Sequence, residues 1–315
     1  YHGKRAGNMV AMARDALLLN WEKLEENPVI PLVDADERGY PYRVFDPCIW
    51  KEEDGYFCLS GSYQDGKISA MKFRQGCRPV AHLFSSQDLR HWAYRGPFVE
   101  GETHTDPGED AAVPYFWPLS DKHILLFASH MRGSQYHLGD YDRERQRFKP
   151  FTHGRFNFGP IGHGGVHAPS ATPNGQGGCY VIHNINEGKQ PQGWSQIMSL
   201  TRVLTLRQDN TLGIEPIPDV ESLRGKHTQI GKTALTANRE IILDPAAGNA
   251  IEIDAEIDPQ EAREICLNVL RSPDGQEYTA IRYYQNAHSS YRRTHSLHQD
   301  AIAIDPSRSS LRPDV

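Results

Sequence analysis

Carboxylic acids at two places in this chain have surroundings that suit sugar-bond chemistry. Asp46 precedes Pro47 at the start of an apolar run that ends at Trp50, and a turn and a second strand-like run follow at once. A strand in this position would hold the carboxylate rigidly at the mouth of a site. Cleavage of a glycosidic bond passes through an oxocarbenium-like transition state that is flanked by two such acids. The structural alternative is a turn aspartate that only caps the strand.

Glu109 and Asp110 occupy the matching place in the next stretch of the chain. Both precede Pro114 and the aromatic run 115–117. A carboxyl group beside aromatic side chains is partly desolvated, which raises its pKa toward the value that a general acid needs near neutral pH. An acidic, solvated loop is the alternative, and the matched position favours the catalytic interpretation.

Histidine, tryptophan and arginine side chains supply candidates for contacts with a sugar. The glycine-rich segment 159–172 contains His163 and His167, whose rings could hydrogen-bond sugar hydroxyls. Its glycines exclude a helix that would present both rings to a metal, no third ligand follows, and no phosphate-loop pattern is present. We therefore expect neither a metal nor a cofactor. The remaining substrate-binding candidates are Arg43, Trp50, Trp117 and His130, although burial in the core is the commoner fate of a tryptophan.

The bulk composition limits the partners of the chain. Of its 315 residues, 38% are hydrophobic and 23% charged, which is typical of a folded globular protein. The net charge is −6 and no basic stripe is present, so we expect no nucleic-acid partner. No apolar run approaches the roughly 20 residues of a membrane span, so we expect no membrane partner. The sequence leaves the oligomeric state open.

Five cysteines are dispersed along the chain without a Cys-x-x-Cys pair, which favours neither a zinc site nor a disulfide framework. Cys48 and Cys58 lie in apolar, strand-like runs. We predict that they are packed thiols.

Short aromatic and β-branched runs, separated by Gly, Pro, Asn and Asp turns, predict an all-β chain. The clearest runs are 56–60, 123–128, 179–183 and 197–200. They recur 67 residues apart from Phe57 to Ile124, and 57 residues apart from Ile124 to Val181. The segments around Trp21 and Trp92 also resemble each other. A coarse repeat with about four strands per unit is typical of a β-propeller and not of a sandwich.

The pattern changes after Arg224. Four segments alternate apolar and polar residues, which predicts a half-buried antiparallel sheet: 240–243, 250–257, 265–270 and 278–284. We therefore predict a propeller domain over 1–226 and a β-sandwich domain over 227–315.

Four segments in chain order resemble glycoside hydrolase family 32, the β-fructosidases. Residues 88–97 are similar to that family's Asp-Leu-x-x-Trp-x-Tyr-x-Gly hairpin, and residues 136–150 to its Tyr-x-x-Gly-x-Tyr-Asp…Phe-x-Pro segment. Residues 193–206 resemble its Gly-Trp…Leu-Pro-Arg-x-Leu-x-Leu strand pair, and residues 215–224 the stretch that closes its propeller. The resemblance runs from about residue 8 to 226, and the tail from 232 resembles the start of the family's sandwich.

The resemblance implies a five-bladed propeller followed by a sandwich, and a retaining reaction that uses three acids. Asp46-Pro47 matches the Arg-Asp-Pro motif, whose aspartate stabilises the transition state, although Phe45 stands where the family has arginine. Ala112-Val113-Pro114 falls where the family has Glu-Cys-Pro, so the acid/base glutamate is replaced by alanine. Glu109 or Asp110 would then take its role.

No segment matches the family's Asn-Asp-Pro-Asn-like nucleophile motif. The resemblance places residues 20–31 at the end of the second blade, so we expect the first blade and most of the second to be absent from this chain. It implies hydrolysis of fructosides such as sucrose, levan or inulin, with an oligo- or polysaccharide as the partner. Polymeric fructans occur outside the cytoplasm, which favours export.

Two other hypotheses stay open. An inverting propeller glycosidase of the arabinanase or xylosidase type also uses three acids, but sets them farther apart to admit water. A carbohydrate-binding pseudoenzyme is compatible with the altered Arg-Asp-Pro and Glu-Cys-Pro segments.

Overall fold

The chain is built almost entirely from antiparallel β-strands. The computed structural model describes residues 7–31, 42, 44–64, 78–157, 164–187, 193–243, 247–285 and 289–295. Across these ranges it contains 20 strands and one short 3-10 helix, Pro218–Leu223, and no α-helix. The predicted all-β class is confirmed. No helix within the described ranges is long and apolar enough to cross a membrane.

Four short strands come first and form two small sheets. They are β1 (Gly7–Asn8) paired with β4 (Ile30–Pro31), and β2 (Ala11–Ala13) paired with β3 (Trp21–Lys23). The indole N–H of Trp21 donates to the carbonyl oxygen of Leu18 at 2.7 Å, and that of Trp92 donates to Leu89 at 3.1 Å. Both leucines have a positive φ, 56° and 63°. The predicted resemblance between the two tryptophan hairpins is confirmed.

Three larger antiparallel sheets follow in chain order. The first sheet is β5 (Phe45–Glu52), β6 (Gly55–Gln64), β7 (Arg78–Ser86) and β8 (Ala93–Pro97). The second sheet is β9 (Ala112–Leu119), β10 (Lys122–Ser129), β11 (Gly133–Asp142) and β12 (Arg147–Arg155). The third sheet is β13 (Gly164–Pro173), β14 (Cys179–Glu187), β15 (Ile197–Met198), β16 (Arg202–Leu206) and β17 (Leu212–Pro216).

Strand β10 of the second sheet sends successive side chains into two different cores. In β10, Leu125 and Phe127 join a core shared with the first sheet, whereas Ile124 and Leu126 join a core shared with the third sheet. All four side chains are 2% exposed or less. Burial of each stabilises the fold by about 2 kcal/mol. Because both faces of β10 are covered, residues 124–128 of this strand form a continuous apolar run in the sequence.

The first strands of the three large sheets are neighbours, with β9 in contact with both β5 and β13. The backbones of the first and second sheets approach closely, because Ala111 N–H donates to the carbonyl oxygen of Ser62 at 3.0 Å. Gly61 permits this approach, since a Cβ there would overlap the carbonyl oxygen of Ala111.

Cys48 and Cys58 are buried in the first sheet, with 4% and 1% of their surface exposed. Burial raises the pKa of Cys48 to about 11 and that of Cys58 to about 12. The prediction that both are packed thiols is confirmed.

The chain divides into two compact units, Tyr1–Pro218 and Asp219–Val315. Within its described residues, the second unit contains one sheet, in the order β18 (Glu264–Val269), β19 (Tyr278–Tyr284) and β20 (Ser289–His295). The strands predicted over 265–270 and 278–284 are confirmed. The strands predicted over 240–243 and 250–257 are wrong, because both segments are irregular and largely exposed. Alternation supplies one apolar face, but a strand also needs a partner strand for its backbone hydrogen bonds.

Candidate active site

Each large sheet has a bulge at the same place in its first strand. The bulged residues are Asp46, Val113 and Ala168, with φ of 43°, 43° and 27°, and each precedes a proline. The strand register shifts at all three places. A positive φ is rare for any residue with a side chain, and bulges of this kind are common beside active sites. The three bulges therefore mark one end of the three sheets as the candidate site.

The bulges also revise the match that the sequence suggested. The structural equivalent of Asp46 is Val113, and the equivalent of Phe45 is Ala112. Asp110 and Glu109 lie upstream of the equivalent position, so their match with Asp46 is approximate.

Asp46 is half-buried and joins the first sheet to the second. Its Oδ2 accepts a hydrogen bond from the backbone N–H of Val113 at 3.3 Å. The strand behind it is anchored by Ser60, whose hydroxyl donates to the carbonyl oxygen of Phe45 at 2.7 Å. Asn8 in turn donates to the Ser60 hydroxyl at 2.9 Å. The carboxylate is therefore held by backbone from two sheets.

Asp110 is fully buried and binds His130 through both carboxylate oxygens. Oδ1 accepts the backbone N–H of His130 at 2.9 Å, and Oδ2 lies 2.7 Å from its Nδ1. With Asp110 ionised, its carboxylate can only accept, so Nδ1 then carries the proton and Nε2 is the nitrogen on the far side of the ring. The side chain of His130 is 44% exposed, whereas that of Asp110 is 0% exposed. The buried Asp110 carboxylate therefore binds a partly exposed group, the imidazole of His130.

Glu109 lies below the surface and is 1% exposed. The side-chain amide of Gln135 donates to its Oε1 at 3.0 Å, and the backbone N–H of Asp106 donates to its Oε2 at 3.0 Å. Burial raises the pKa of Glu109, and the guanidinium of Arg155, 3.7 Å from Oε1, opposes that shift. Both oxygens of Glu109 are thus committed to internal partners.

Two arginines and an asparagine complete this end of the second sheet. Asp106 pairs with Arg155 at 2.9 Å and with Arg132 at 3.3 Å. Asn157 donates to the carbonyl oxygen of Arg132 at 3.0 Å and accepts the backbone N–H of Val166 at 3.1 Å, so it ties the second sheet to the third. Sequence reasoning missed these residues, because no spacing in the chain relates 106, 132 and 155 until the register of β9 to β12 is known.

The structure places Trp50 and Trp117 against the hydrophobic cores, where both are partly buried. Trp50 stacks on Phe57 at 5.6 Å between ring centroids and donates to Glu52 at 2.8 Å. Trp117 packs against the second core and donates to the carbonyl oxygen of Ala171 at 3.1 Å. Each lies four residues along its strand from the bulge. The sequence analysis left open that these tryptophans pack in the core and do not bind a sugar, and the structure favours that alternative for both.

Of the remaining candidates, His167 lies at the site and two lie outside the described residues. His167 directly precedes the bulged Ala168 and is half-buried opposite Asn184. Arg43 and His163 are the two candidates outside the described residues. Among the residues that the structure does describe, no cluster of three His, Cys, Asp or Glu side chains could hold a metal ion.

Family models match both units of the chain. Residues 2–216 match the glycosyl hydrolases family 32 N-terminal domain, and residues 219–313 match the family 32 C-terminal domain. The chain belongs to glycosyl hydrolase family 32. The resemblance carried by the four sequence segments is confirmed.

Two curated relatives are similar at low identity. One is an insoluble isoenzyme of β-fructofuranosidase from Arabidopsis thaliana, 22% identical over 267 residues, which covers 76% of this chain and 43% of the relative. The other is a sucrose-6-phosphate hydrolase from Salmonella typhimurium, 26% identical over 251 residues, which covers 72% of this chain and 49% of the relative. The chain thus spans about half the length of the curated relatives it matches.

A solved family 32 β-fructofuranosidase from Bombyx mori is similar in structure. The TM-score is 0.64 at 19% sequence identity, and the match covers 91% of this chain and 58% of that one. A variant of the Bombyx mori enzyme has been solved in complex with sucrose. The likeness establishes a shared fold.

Proposed function

We propose that this protein is a glycoside hydrolase that cleaves fructosides such as sucrose, levan or inulin with retention of configuration. Membership of family 32 supports the reaction class, and relatives named β-fructofuranosidase and sucrose-6-phosphate hydrolase support a fructoside substrate. The fold proposed with this function is a five-bladed propeller followed by a β-sandwich. The observation that carries the proposal is the carboxylate of Asp46, held in a strained bulge before a proline and fixed by Val113 N–H.

The proposed role of Asp46 is to stabilise the transition state. Val113 N–H binds Oδ2, so the carboxylate is oriented before a sugar arrives. Hydroxyl groups on the fructose ring would donate to Oδ1, and the negative charge would stabilise the oxocarbenium-like ion as the glycosidic bond breaks. A fixed charge that needs no reorganisation is the most effective kind of electrostatic catalyst.

The other two acids of the family pattern are changed in this chain. Its 315 residues contain no counterpart of the Asn-Asp-Pro-Asn-like nucleophile motif, and Ala112 stands where the family has its acid/base glutamate. Because the acids of a retaining site act as a unit, loss of one removes most of the rate enhancement. We therefore expect no turnover by the 315-residue chain alone, and turnover by a gene product that supplies the nucleophile.

The test is fructose release from sucrose, inulin and levan by the full-length gene product and two variants. Asp46→Asn should abolish release. Asp54→Asn is the matched control, since it makes the same change in the exposed turn at the opposite end of β5 and β6. No release from any substrate by the folded wild-type protein would contradict the proposal.

A carbohydrate-binding pseudoenzyme is the second candidate, and Ala112 is the observation that favours it. The pseudoenzyme hypothesis predicts that the full-length protein binds a fructan, as measured by calorimetry, and releases no fructose from it. An inverting glycosidase would release the opposite anomer first, which NMR of the nascent product distinguishes from retention.

A further inference from the structure

Ala112 leaves the candidate site without the side chain that would protonate the leaving group. A glycosidase needs such a donor, because an alkoxide leaves poorly from an unactivated sugar. The two carboxyl groups nearest to Ala112 in the chain are Glu109 and Asp110. Both are buried, and both have their oxygens bound by internal partners. Neither one presents a proton to a substrate directly.

The strand register brings one exposed titratable side chain to the same place. Ala128 in β10 pairs directly with Ala112 in β9. His130 follows two residues later, at the same end of the sheet, and its side chain is 44% exposed. The hydroxyl of Ser129 accepts the backbone N–H groups of Met131 and Arg132 at 3.1 and 3.3 Å, which fixes the turn that carries His130.

We propose that His130, positioned by Asp110, donates the proton to the leaving group in place of the missing glutamate. This inference rests on the proposed fructosidase function. His130 is the candidate catalytic residue, and Asp110 is a positioning residue that acts through it. The substrate class is a fructoside with an alkoxide leaving group, such as sucrose or a fructan.

The chemistry balances with one further group, the carboxylate nucleophile of the retaining reaction, which the full-length gene product would supply. Nε2–H of the imidazolium gives its proton to the glycosidic oxygen as the bond from that oxygen to the anomeric carbon breaks. The electron pair of that bond stays on oxygen, and the nucleophilic carboxylate bonds to the anomeric carbon. The neutral imidazole then takes a proton from a water whose oxygen bonds to the anomeric carbon as the bond between that carbon and the carboxylate breaks, which regenerates the carboxylate and the imidazolium. Asp110 remains ionised throughout and stabilises the positive charge on the ring.

A second aspartate–histidine pair in the chain provides a matched control. His91 Nδ1 lies 2.7 Å from Asp88 Oδ2, the same separation as in the His130–Asp110 pair. It lies in the turn between β7 and β8, at the opposite end of the first sheet from Asp46, and the His91 side chain is 84% exposed. His91→Ala should therefore leave hydrolysis unchanged.

The experiment compares leaving groups in the full-length gene product. For His130→Ala, kcat/KM on sucrose should fall by at least about 100-fold, the usual contribution of a general acid. On 4-nitrophenyl β-fructofuranoside it should fall less than about 10-fold, because nitrophenolate leaves without protonation. Added imidazole should restore part of the sucrose activity. Asp46→Asn should lower kcat/KM on both substrates by a similar factor. His130→Gln, which keeps a polar side chain of similar size, should behave as His130→Ala does.

Three outcomes would overturn the inference. Sucrose hydrolysis by folded His130→Ala and His130→Gln within about threefold of wild type would do so while leaving the fructosidase proposal intact. An equal loss on both substrates without rescue by imidazole would show that His130 acts through binding or structure. No fructose release by the wild-type protein from any substrate would contradict the proposed function itself, and this inference with it.

Discussion

The carboxylate of Asp46 in the first sheet accepts a hydrogen bond from the backbone N–H of Val113 in the second sheet, at 3.3 Å. The two residues occupy equivalent bulges in their strands, and each has a φ of 43°. The orientation of the acid therefore depends on the shape of the neighbouring strand as well as on its own.

Removing the charge of Asp46 while keeping its hydrogen bond should separate the effect of this residue on catalysis from its effect on stability. Asp46→Asn retains an oxygen that can accept Val113 N–H, so its melting temperature should stay within a few degrees of wild type. Asp46→Ala leaves that N–H without this partner and should lower the free energy of unfolding by about 1 kcal/mol. Both should lose at least about 100-fold in kcat on sucrose. A large loss of stability in Asp46→Asn would show that the charge serves the fold.

Gly61→Ala should disturb the junction between the first and second sheets. The new methyl group would overlap the carbonyl oxygen of Ala111 and force β6 away from β9. Overpacking of this kind costs about 1 to 3 kcal/mol, which urea unfolding would measure. Gly225→Ala is the control, because a Cβ there meets nothing within 4 Å. Equal stabilities of the two variants would contradict the close approach.

Buried histidines should make the fold sensitive to acid. Burial lowers the pKa of His137 to about 3, and lowers the pKa values of four others to about 4, namely His82, His123, His153 and His183. Between pH 6.5 and about 4 the unfolded chain binds protons at these positions and the folded chain does not. The free energy of unfolding should therefore fall as the pH decreases through this window, by up to about 1.4 kcal/mol per pH unit for each histidine.

The variant His137→Phe tests the contribution of one of them. It keeps an aromatic ring beside Phe127, at 5.0 Å between centroids in the wild type, and removes the titrating group. Because it also removes the hydrogen bond to Thr103, stability at pH 7 should fall by about 1 kcal/mol. Its decline from pH 7 to pH 5 in urea unfolding should be shallower than that of wild type. An identical decline would show that His137 binds protons equally in the folded and unfolded chains, so that its pKa is not lowered by folding.

Substitution of Trp50 should affect stability and not substrate affinity. Trp50→Ala removes a ring that stacks on Phe57 and packs against Phe116 at 5.5 Å, and should cost about 3 kcal/mol. Trp194→Ala, at a side chain that is 60% exposed, should change stability by about 0.5 kcal/mol or less. A raised KM with an unchanged melting temperature in Trp50→Ala would instead show that Trp50 contributes to sugar binding.

The strands of the first unit were predictable where both faces of a sheet are buried. Runs such as 123–128 have no polar face, are bounded by turn residues and form β10 as predicted. The alternating segment 250–257 is equally regular in sequence and forms no strand. The difference lies in tertiary partners, since alternation reports one apolar face and says nothing about which strand supplies the hydrogen bonds.

The candidate site was predictable in part, for a similar reason. Asp46 was found because an acid before a proline at a strand start is a local pattern. The pairing of Asp110 with His130 could not be predicted, because the two residues are 20 positions apart in the sequence and meet only through the register of β9 against β10. Neither could the network of Asp106, Arg132 and Arg155, whose members lie on separate strands and turns.

The bulges at Val113 and Ala168 keep the shape of the one at Asp46, although neither carries an acid. The backbone shape at these positions therefore does not depend on an acidic side chain. A residue with positive φ before a proline, in the first strand of each large sheet, therefore marks the end of the sheets that holds the candidate site. Sequence motifs alone do not reveal this backbone feature at Val113 and Ala168, because neither residue is an acid.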